Sequence, residues 1–381
     1  MPHPHSSPQP FAEPVYVTRP FLPPLAQFEA HLRKIWQTRR LSNMGCLHDE
    51  LEQALGKKLG APNFRVFSNG TLALQLALQA LAVRGEVLTT PFTFPATLHA
   101  IAMAGARPVF CDIDPDTLCI DPASIARMWG PDTSAIMGVH VYGTPCAVTD
   151  IQGIADQHGL KVVYDAAHAF GTTFHGRPIA DFGDATMFSF HATKLFHTIE
   201  GGGLAFADAT LGRKLEMLRN FGIESEDVVA IIGTNAKLNE IQAAMGIEML
   251  KAMDEECRNR AQVKQTYQAL LGDLPGLKII KPGPGVTDSL QYMVIRIDES
   301  AFGLSRDALH AALKPWNVIT RRYFYPLGSD YPSYADCRRD NLPHAQRASR
   351  EVLCLPLYGE LGIEMTERIG RIIRYIHSTA S

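Results

Sequence analysis

Lys161-Val162-Val163-Tyr164-Asp165-Ala166-Ala167-His168 is followed, one crossover later, by Ala185-Thr186-Met187-Phe188-Ser189-Phe190-His191-Ala192-Thr193-Lys194. Each stretch is a short apolar run that stops at polar residues. A strand covered on both faces loses the apolar/polar alternation of a half-exposed one, so such runs indicate buried strands of a parallel sheet. The rhythm continues outward. Strands are predicted over 85–90, 107–112, 134–141, 161–165, 185–190 and 203–207, with helical segments such as 71–81 filling most of the gaps. The class is therefore α/β, a largely parallel sheet with helices on both faces.

Past this region the pattern changes. Residues 239–253 are a helical candidate rich in Ala, Met and Leu, followed by a charged stretch over 254–260 that marks a boundary. Beyond it come Pro/Gly punctuation near 281–285, a strand over 291–297 and a final amphipathic helix over 365–377, which suit a smaller α+β domain. The division expected is a flexible arm over 1–14, a large domain over 15–254 and a small domain over 255–381. The first residues, MPHPHSSPQPFAEP, lack the basic and apolar regions of a signal peptide. His3 and His5 read as exposed tail histidines, and no metal site is expected.

Composition narrows the class further. The 381 residues are 46% hydrophobic and 20% charged, enough apolar material for a sizeable core and outside the disordered range. With 36 Lys+Arg against 39 Asp+Glu, the net charge of −3 gives no excess for a phosphate backbone or an anionic membrane, so neither nucleic acid nor membrane is expected as a partner. Seven cysteines without metal or disulfide spacing point to reduced thiols and a cytoplasmic protein.

Ligands of parallel sheets bind at the carboxyl ends of the strands. Ser68-Asn69-Gly70-Thr71 lies there, opening into the helix after Val66-Phe67. Amides at a helix start can hold a phosphate, although an Asn or Thr cap explains the same letters. Asp165 ends one apolar run, and Lys194 follows the next. A lysine in an apolar site is a poor ammonium ion and a good nucleophile. An acid in the same cleft can keep a pyridinium nitrogen protonated, the partner that pyridoxal phosphate needs to act as an electron sink.

SNGTLAL (68–74), PFTFPAT (91–97), VHVYG (139–143), VVYDAAHAFG (162–171) and SFHATKLFHTIEGGG (189–203), in this order, resemble the DegT/DnrJ/EryC1/StrS family of sugar aminotransferases. The resemblance runs from about Val17 to Tyr375. It implies an aspartate aminotransferase type of fold (pyridoxal phosphate fold type I) with a mainly parallel seven-stranded sheet, a pyridoxal 5'-phosphate cofactor, a nucleotide-sugar substrate with glutamate as donor, and a homodimer with shared active sites.

By the same resemblance, Lys194 fills the slot of the lysine that carries the cofactor and Asp165 that of the acid paired with its pyridine nitrogen. Phe94 matches the aromatic that stacks on the ring, with a core Phe as the alternative. Gly70, Thr71 and Ser189 match phosphate contacts. His168 matches the residue near the phenolic oxygen, with a core His as the alternative. Asn235 matches an asparagine serving the phosphate in the neighbouring subunit, while a cap for the 239–253 helix would also account for it. That helix, rich in Ala and Met, offers an apolar surface for the dimer. His191, Arg321, Tyr323 and Tyr325 are the substrate candidates, with Arg322 beside them and His140 and Tyr142 lining the pocket. Many members have His after the Pro-Leu pair of this segment, where this chain has Gly328.

The expected reaction moves an amino group from L-glutamate to C4 of dTDP-4-keto-6-deoxyglucose, because Val17-Thr18-Arg19-Pro20-Phe21-Leu22-Pro23-Pro24 and SFHATK resemble members that aminate that carbon. Amination of a 3-keto sugar is the alternative. A sugar dehydratase of the same fold would carry His in the Lys194 slot, and a cofactor-binding sensor would not need the intact pair. A Rossmann dehydrogenase would need GxGxxG after its first strand, whereas Gly201-Gly202-Gly203 precedes one.

Overall fold

The computed structural model describes residues 8–380. Its central sheet has seven strands: β1 (Phe64–Phe67), β2 (Glu86–Thr89), β3 (Arg107–Phe110), β4 (Thr133–Val139), β5 (Lys161–Asp165), β6 (Ala185–Ser189) and β7 (Gly202–Phe206). Their order is β1-β7-β6-β5-β4-β2-β3, parallel except for β7, which runs antiparallel to both of its neighbours. Successive side chains of one strand serve opposite layers. Val163 and Met187 share a core with Leu74, Ile101 and Leu215 of three helices on one face. Val162, Tyr164 and Phe188 pack on the other face.

Helix Gly70–Ala80 starts where β1 ends, and Asn69 caps it by accepting a hydrogen bond from the Leu72 amide at 2.9 Å. Gly202 lies directly against this turn. A Cβ there would come within 2.6 Å of the Asn69 carbonyl carbon and 2.7 Å of the Gly70 nitrogen, so only glycine lets β7 pass the helix start.

The helix expected over 239–253 does not stop at the charged stretch. It is one helix, Glu240–Leu271, of 32 residues, opened by a capping box in which Asn239 and Gln242 serve each other's backbone amides. The charges that suggested a break include a buried pair, Glu256 and Arg260, joined at 2.6 Å. The first half of the helix buries Ala243, Ala244, Ile247 and Met249 against Leu51 and Leu55. Its second half buries Val263, Tyr267 and Leu271 in another core, with Ile295, Leu309 and Ile372. That core covers an antiparallel sheet of β8 (Leu277–Ile279), β9 (Met293–Ile297) and β10 (Val352–Leu355), beside the last helix, Gly362–Ala380.

The start of the chain also differs from the flexible arm expected over 1–14. Phe11 is buried, its amide donates to the Trp316 carbonyl at 3.1 Å, and the Arg368 guanidinium lies 4.2 Å over its ring while donating to the Gln9 carbonyl. A buried aromatic anchors the described part of the arm despite its Pro-rich sequence. His3 and His5 lie outside the described residues. All seven cysteines are free. Among the described residues no helix is long and apolar enough to cross a membrane.

Candidate active site

The carboxyl edge of the central sheet gathers the side chains that carry charge. β5 delivers Asp165, which is buried although it is an acid. Its Oδ2 accepts from the Thr97 hydroxyl at 2.7 Å and its Oδ1 from the Ala167 amide at 3.0 Å. Burial raises its pKa, and these two donors together with the nearby Lys194 charge oppose that rise only in part. Thr97 comes from helix Pro95–Met103, whose proline starts the turn that points the hydroxyl inward.

Lys194 lies in the turn after β6, its amide donating to the His191 carbonyl at 2.8 Å. Burial pulls its amine down to about 8, with Asp165 acting in the opposite sense. The amine lies 6.0 Å from the centre of the Tyr292 ring. A group with a lowered pKa is deprotonated at lower pH than its exposed counterpart. In the cofactor-free protein, reductive methylation of Lys194 followed by mass spectrometry should therefore reach half its maximal rate near pH 8. Ordinary lysines do so near ~10.4. Asp165→Asn should move the Lys194 midpoint lower still, because the carboxylate is the group that holds the proton on. A midpoint at the ordinary lysine value would show a solvated amine.

His168 is buried, and burial together with the Lys194 charge pushes its pKa well below the usual value, leaving a neutral imidazole. Nδ1 accepts from the Tyr142 amide at 3.3 Å, which assigns the remaining proton to Nε2. The ring lies nearly parallel to Phe324 at 5.8 Å and meets the edge of Tyr292 at 4.9 Å.

The helix start beside this group has unused donors. Gly70 packs so closely on β6 that a Cβ would lie 2.9 Å from the Met187 sulfur and 3.4 Å from Ser189 Cβ. Asn69 serves the Leu72 amide, and the amides of Gly70 and Thr71 have no acceptor among the described residues. Cap and unused donors thus coexist. Phe94 is not a core residue: it is 54% exposed at the head of helix Pro95–Met103, sharing one hollow with Thr71, His99 and Tyr334.

The remaining candidates lie further out. Asn235 is exposed and pairs by its backbone with Asn220, and it does not cap the following helix, a role taken by Asn239. His191 is exposed, with Nδ1 2.8 Å from the Thr193 hydroxyl. Tyr323 reaches the aromatic group, its ring 5.5 Å from Tyr292 and its carbonyl accepting from the Tyr142 hydroxyl. Tyr325 turns elsewhere, with the Arg322 and Arg306 guanidiniums 4.9 Å and 5.4 Å from its ring. Arg321 is exposed beside Tyr323. Gly328 is buried against the Leu98 side chain, its amide donating to the Pro91 carbonyl at 2.8 Å.

Four participants were not singled out from the sequence as site residues. Thr97 lay inside PFTFPAT, third in a Pro-led helix start, and could have been read from that position. Gln291, Tyr292 and Phe324 carry no local signal, since only long-range folding brings the first two to Lys194 and the third to His168.

Comparison with known proteins adds an independent line. The profile of the DegT/DnrJ/EryC1/StrS aminotransferase family matches residues 25–374. A Shigella dysenteriae protein described as dTDP-4-amino-4,6-dideoxy-D-glucose transaminase is 42% identical over 365 residues, covering 96% of this chain and 99% of its own. An Escherichia coli protein of the same description is 41% identical, covering 94% and 97%. Among solved structures, DesI in the presence of its TDP-sugar product superposes with a TM-score of 0.94 at 37% identity, over 97% of this chain and 95% of its own.

Proposed function

Because the chain belongs to the DegT/DnrJ/EryC1/StrS aminotransferase family, we propose that it is the pyridoxal phosphate-dependent transaminase that moves an amino group from L-glutamate to C4 of dTDP-4-keto-6-deoxyglucose. The observation that carries the reading is the buried Asp165 and the pKa-lowered Lys194 at one sheet edge, beside a helix start with free amides.

The donor set fits the cofactor. The free amides of Gly70 and Thr71, at the positive end of a helix, and the Ser189 hydroxyl suit its phosphate. The exposed Phe94 ring offers a face to stack on. Asp165 suits the pyridine nitrogen, since a cation against a carboxylate restores the ionised form that burial disfavours. His168, neutral, suits the phenolic oxygen. When bound, the cofactor supplies an electron sink for the pair left by a departing α-proton.

The chain's own residues then do the positioning and the proton transfer. Lys194 would hold the cofactor covalently, and its Nζ as a free amine would take the proton from the α-carbon of glutamate. In the second half of the cycle the same Nζ delivers a proton to the sugar carbon that receives nitrogen. A pKa near 8 suits both directions, because a base poised near the working pH gives and takes protons with little bias. Asp165, fixed by Thr97 and Ala167, keeps its charge aimed at the ring nitrogen. Tyr323, His191 and Arg321 receive the nucleotide sugar, the guanidinium pairing with diphosphate oxygens, whereas Tyr325, held under Arg322 and Arg306, is left out of this role.

The test incubates holoenzyme with glutamate and a panel of 3-keto and 4-keto nucleotide sugars, following 2-oxoglutarate and identifying the aminated carbon by NMR. Amination at C4 of the dTDP sugar is expected. Exchange between amino and oxo acids without amination of any nucleotide sugar would overturn the substrate class.

A homodimer with shared sites is part of the same proposal. The Ala/Met-rich helix start buries Ala243, Ala244, Ile247 and Met249 within its own chain and leaves Ile241, Leu250 and Ala252 part-exposed. An exposed apolar patch lies around Asn235, where Phe221 is 51%, Val229 70% and Ile232 96% exposed. A second copy covering this patch would bring Asn235 to its phosphate. Sedimentation should give a dimer, whereas an active monomer at nanomolar concentration would sink the idea.

A further inference from the structure

The loop that carries Lys194 has little regular structure of its own: between the end of β6 and the start of β7 it is a series of turns. An amine that must serve two different carbon atoms needs a backbone that does not drift. Gln291, at the edge of the C-terminal sheet and buried, reaches across to this loop. Its side-chain oxygen accepts from the Leu195 amide at 2.8 Å, and its side-chain nitrogen donates to the Thr193 carbonyl at 3.1 Å. One primary amide therefore grips the main chain on both sides of Lys194, as a neighbouring strand would. The next residue, Tyr292, puts its ring 6.0 Å from the Lys194 amine and 4.9 Å from His168.

The grip is itself anchored. Lys264 pairs with Asp288, whose Oδ1 accepts from the Leu290 amide at 2.8 Å, and Arg260 donates to the Leu290 carbonyl at 3.3 Å. Both cations project from helix Glu240–Leu271 and are almost wholly buried. The Ser289 hydroxyl donates to the Tyr142 carbonyl at 3.1 Å, closing the loop against the residue that bonds His168.

We propose that Gln291 is a positioning residue for transamination: its amide clamps the peptides flanking Lys194 and thereby fixes where the amine stands relative to Asp165 and His168. This rests on Lys194 being the reacting amine. Misplacement of a reacting group by about 1 Å costs on the order of 10²-fold in rate. The clamp touches no substrate, so its loss should appear in the proton-transfer steps and not in substrate binding.

Two substitutions separate the possibilities. Gln291→Leu keeps the volume and removes both hydrogen bonds. Gln291→Glu keeps the acceptor for Leu195 and removes the donor to Thr193, and it serves if the leucine variant fails to fold. In holoenzyme, kcat for glutamate should fall about 10²-fold in the leucine variant and less in the glutamate variant, as for a modest misplacement. KM for the nucleotide sugar should stay within about two-fold of the unaltered enzyme in both. The pH at which the visible band of the covalent linkage titrates should move in both variants. In the cofactor-free protein, protease cleavage within 191–201 should accelerate while the thermal midpoint of the remainder stays cooperative. Unchanged kcat and an unchanged titration in folded variants would overturn the proposal. So would a rise in KM alone, or a loss of activity explained entirely by unfolding in both variants. A Lys194→Ala control distinguishes the two levels: if the visible band survives it, the assignment of Lys194 fails, whatever Gln291 does.

Discussion

Lys194→Ala holoenzyme is expected to lose the visible absorbance of a covalently held cofactor and to fall in turnover by at least ~10²–10⁴-fold, the contribution of a positioned proton carrier. Because the same amine also anchors the cofactor, the measured loss should lie at or above the upper end of that range. The fold should survive. Burial holds the amine below its ordinary pKa, so the charged form is a cost to the native state and removing it relieves one. The checks are the absorption spectrum, borohydride trapping followed by peptide mass analysis, and the thermal midpoint. An unchanged visible band would falsify the assignment.

Asp165→Asn has the next largest expected effect. An opposite charge in contact is worth roughly one to three pKa units to the protonated pyridine. Removing it should slow turnover by about 10- to 10³-fold, or ~1.4–4 kcal/mol. The fold should lose far less. The amide keeps one acceptor oxygen for either Thr97 or Ala167, so one hydrogen bond is lost, about 1 kcal/mol. Comparing single-turnover rates with the thermal midpoint separates the two. Near-normal turnover with cofactor bound would make Asp165 a structural acid.

How far the sequence could be read depends on where the information lies. Asp165 and Lys194 are legible because each directly follows an apolar run, and the runs themselves are β5 and β6. The direction of β7 is not legible, since a short apolar strand reads alike either way. Asn235 and Asn239 are both asparagines near a helix start, and only the backbone shows that the second one caps it. The charged stretch at 254–260 misleads for a definite reason. Glu256 and Arg260 are one helical turn apart and neutralise each other inside the protein, so polar letters there record a buried pair and not a surface linker. Phe11 is a case in the opposite sense, one aromatic in a Pro-rich segment that docks because Arg368 and Trp316 await it. Gln291 and Tyr292 reach Lys194, and Phe324 reaches His168, only by long-range topology, which no local pattern carries.

Helix Glu240–Leu271, with 32 residues, spans about 48 Å at the usual rise per residue. It acts as a splint set across two separate cores, and melting either core would strip one face of the same rod. Unwinding half a helix exposes backbone groups that the other half cannot satisfy. The consequence is cooperativity: heat should take both sheets apart in a single calorimetric step, and a cut in the middle of the rod should leave no fragment that stands by itself.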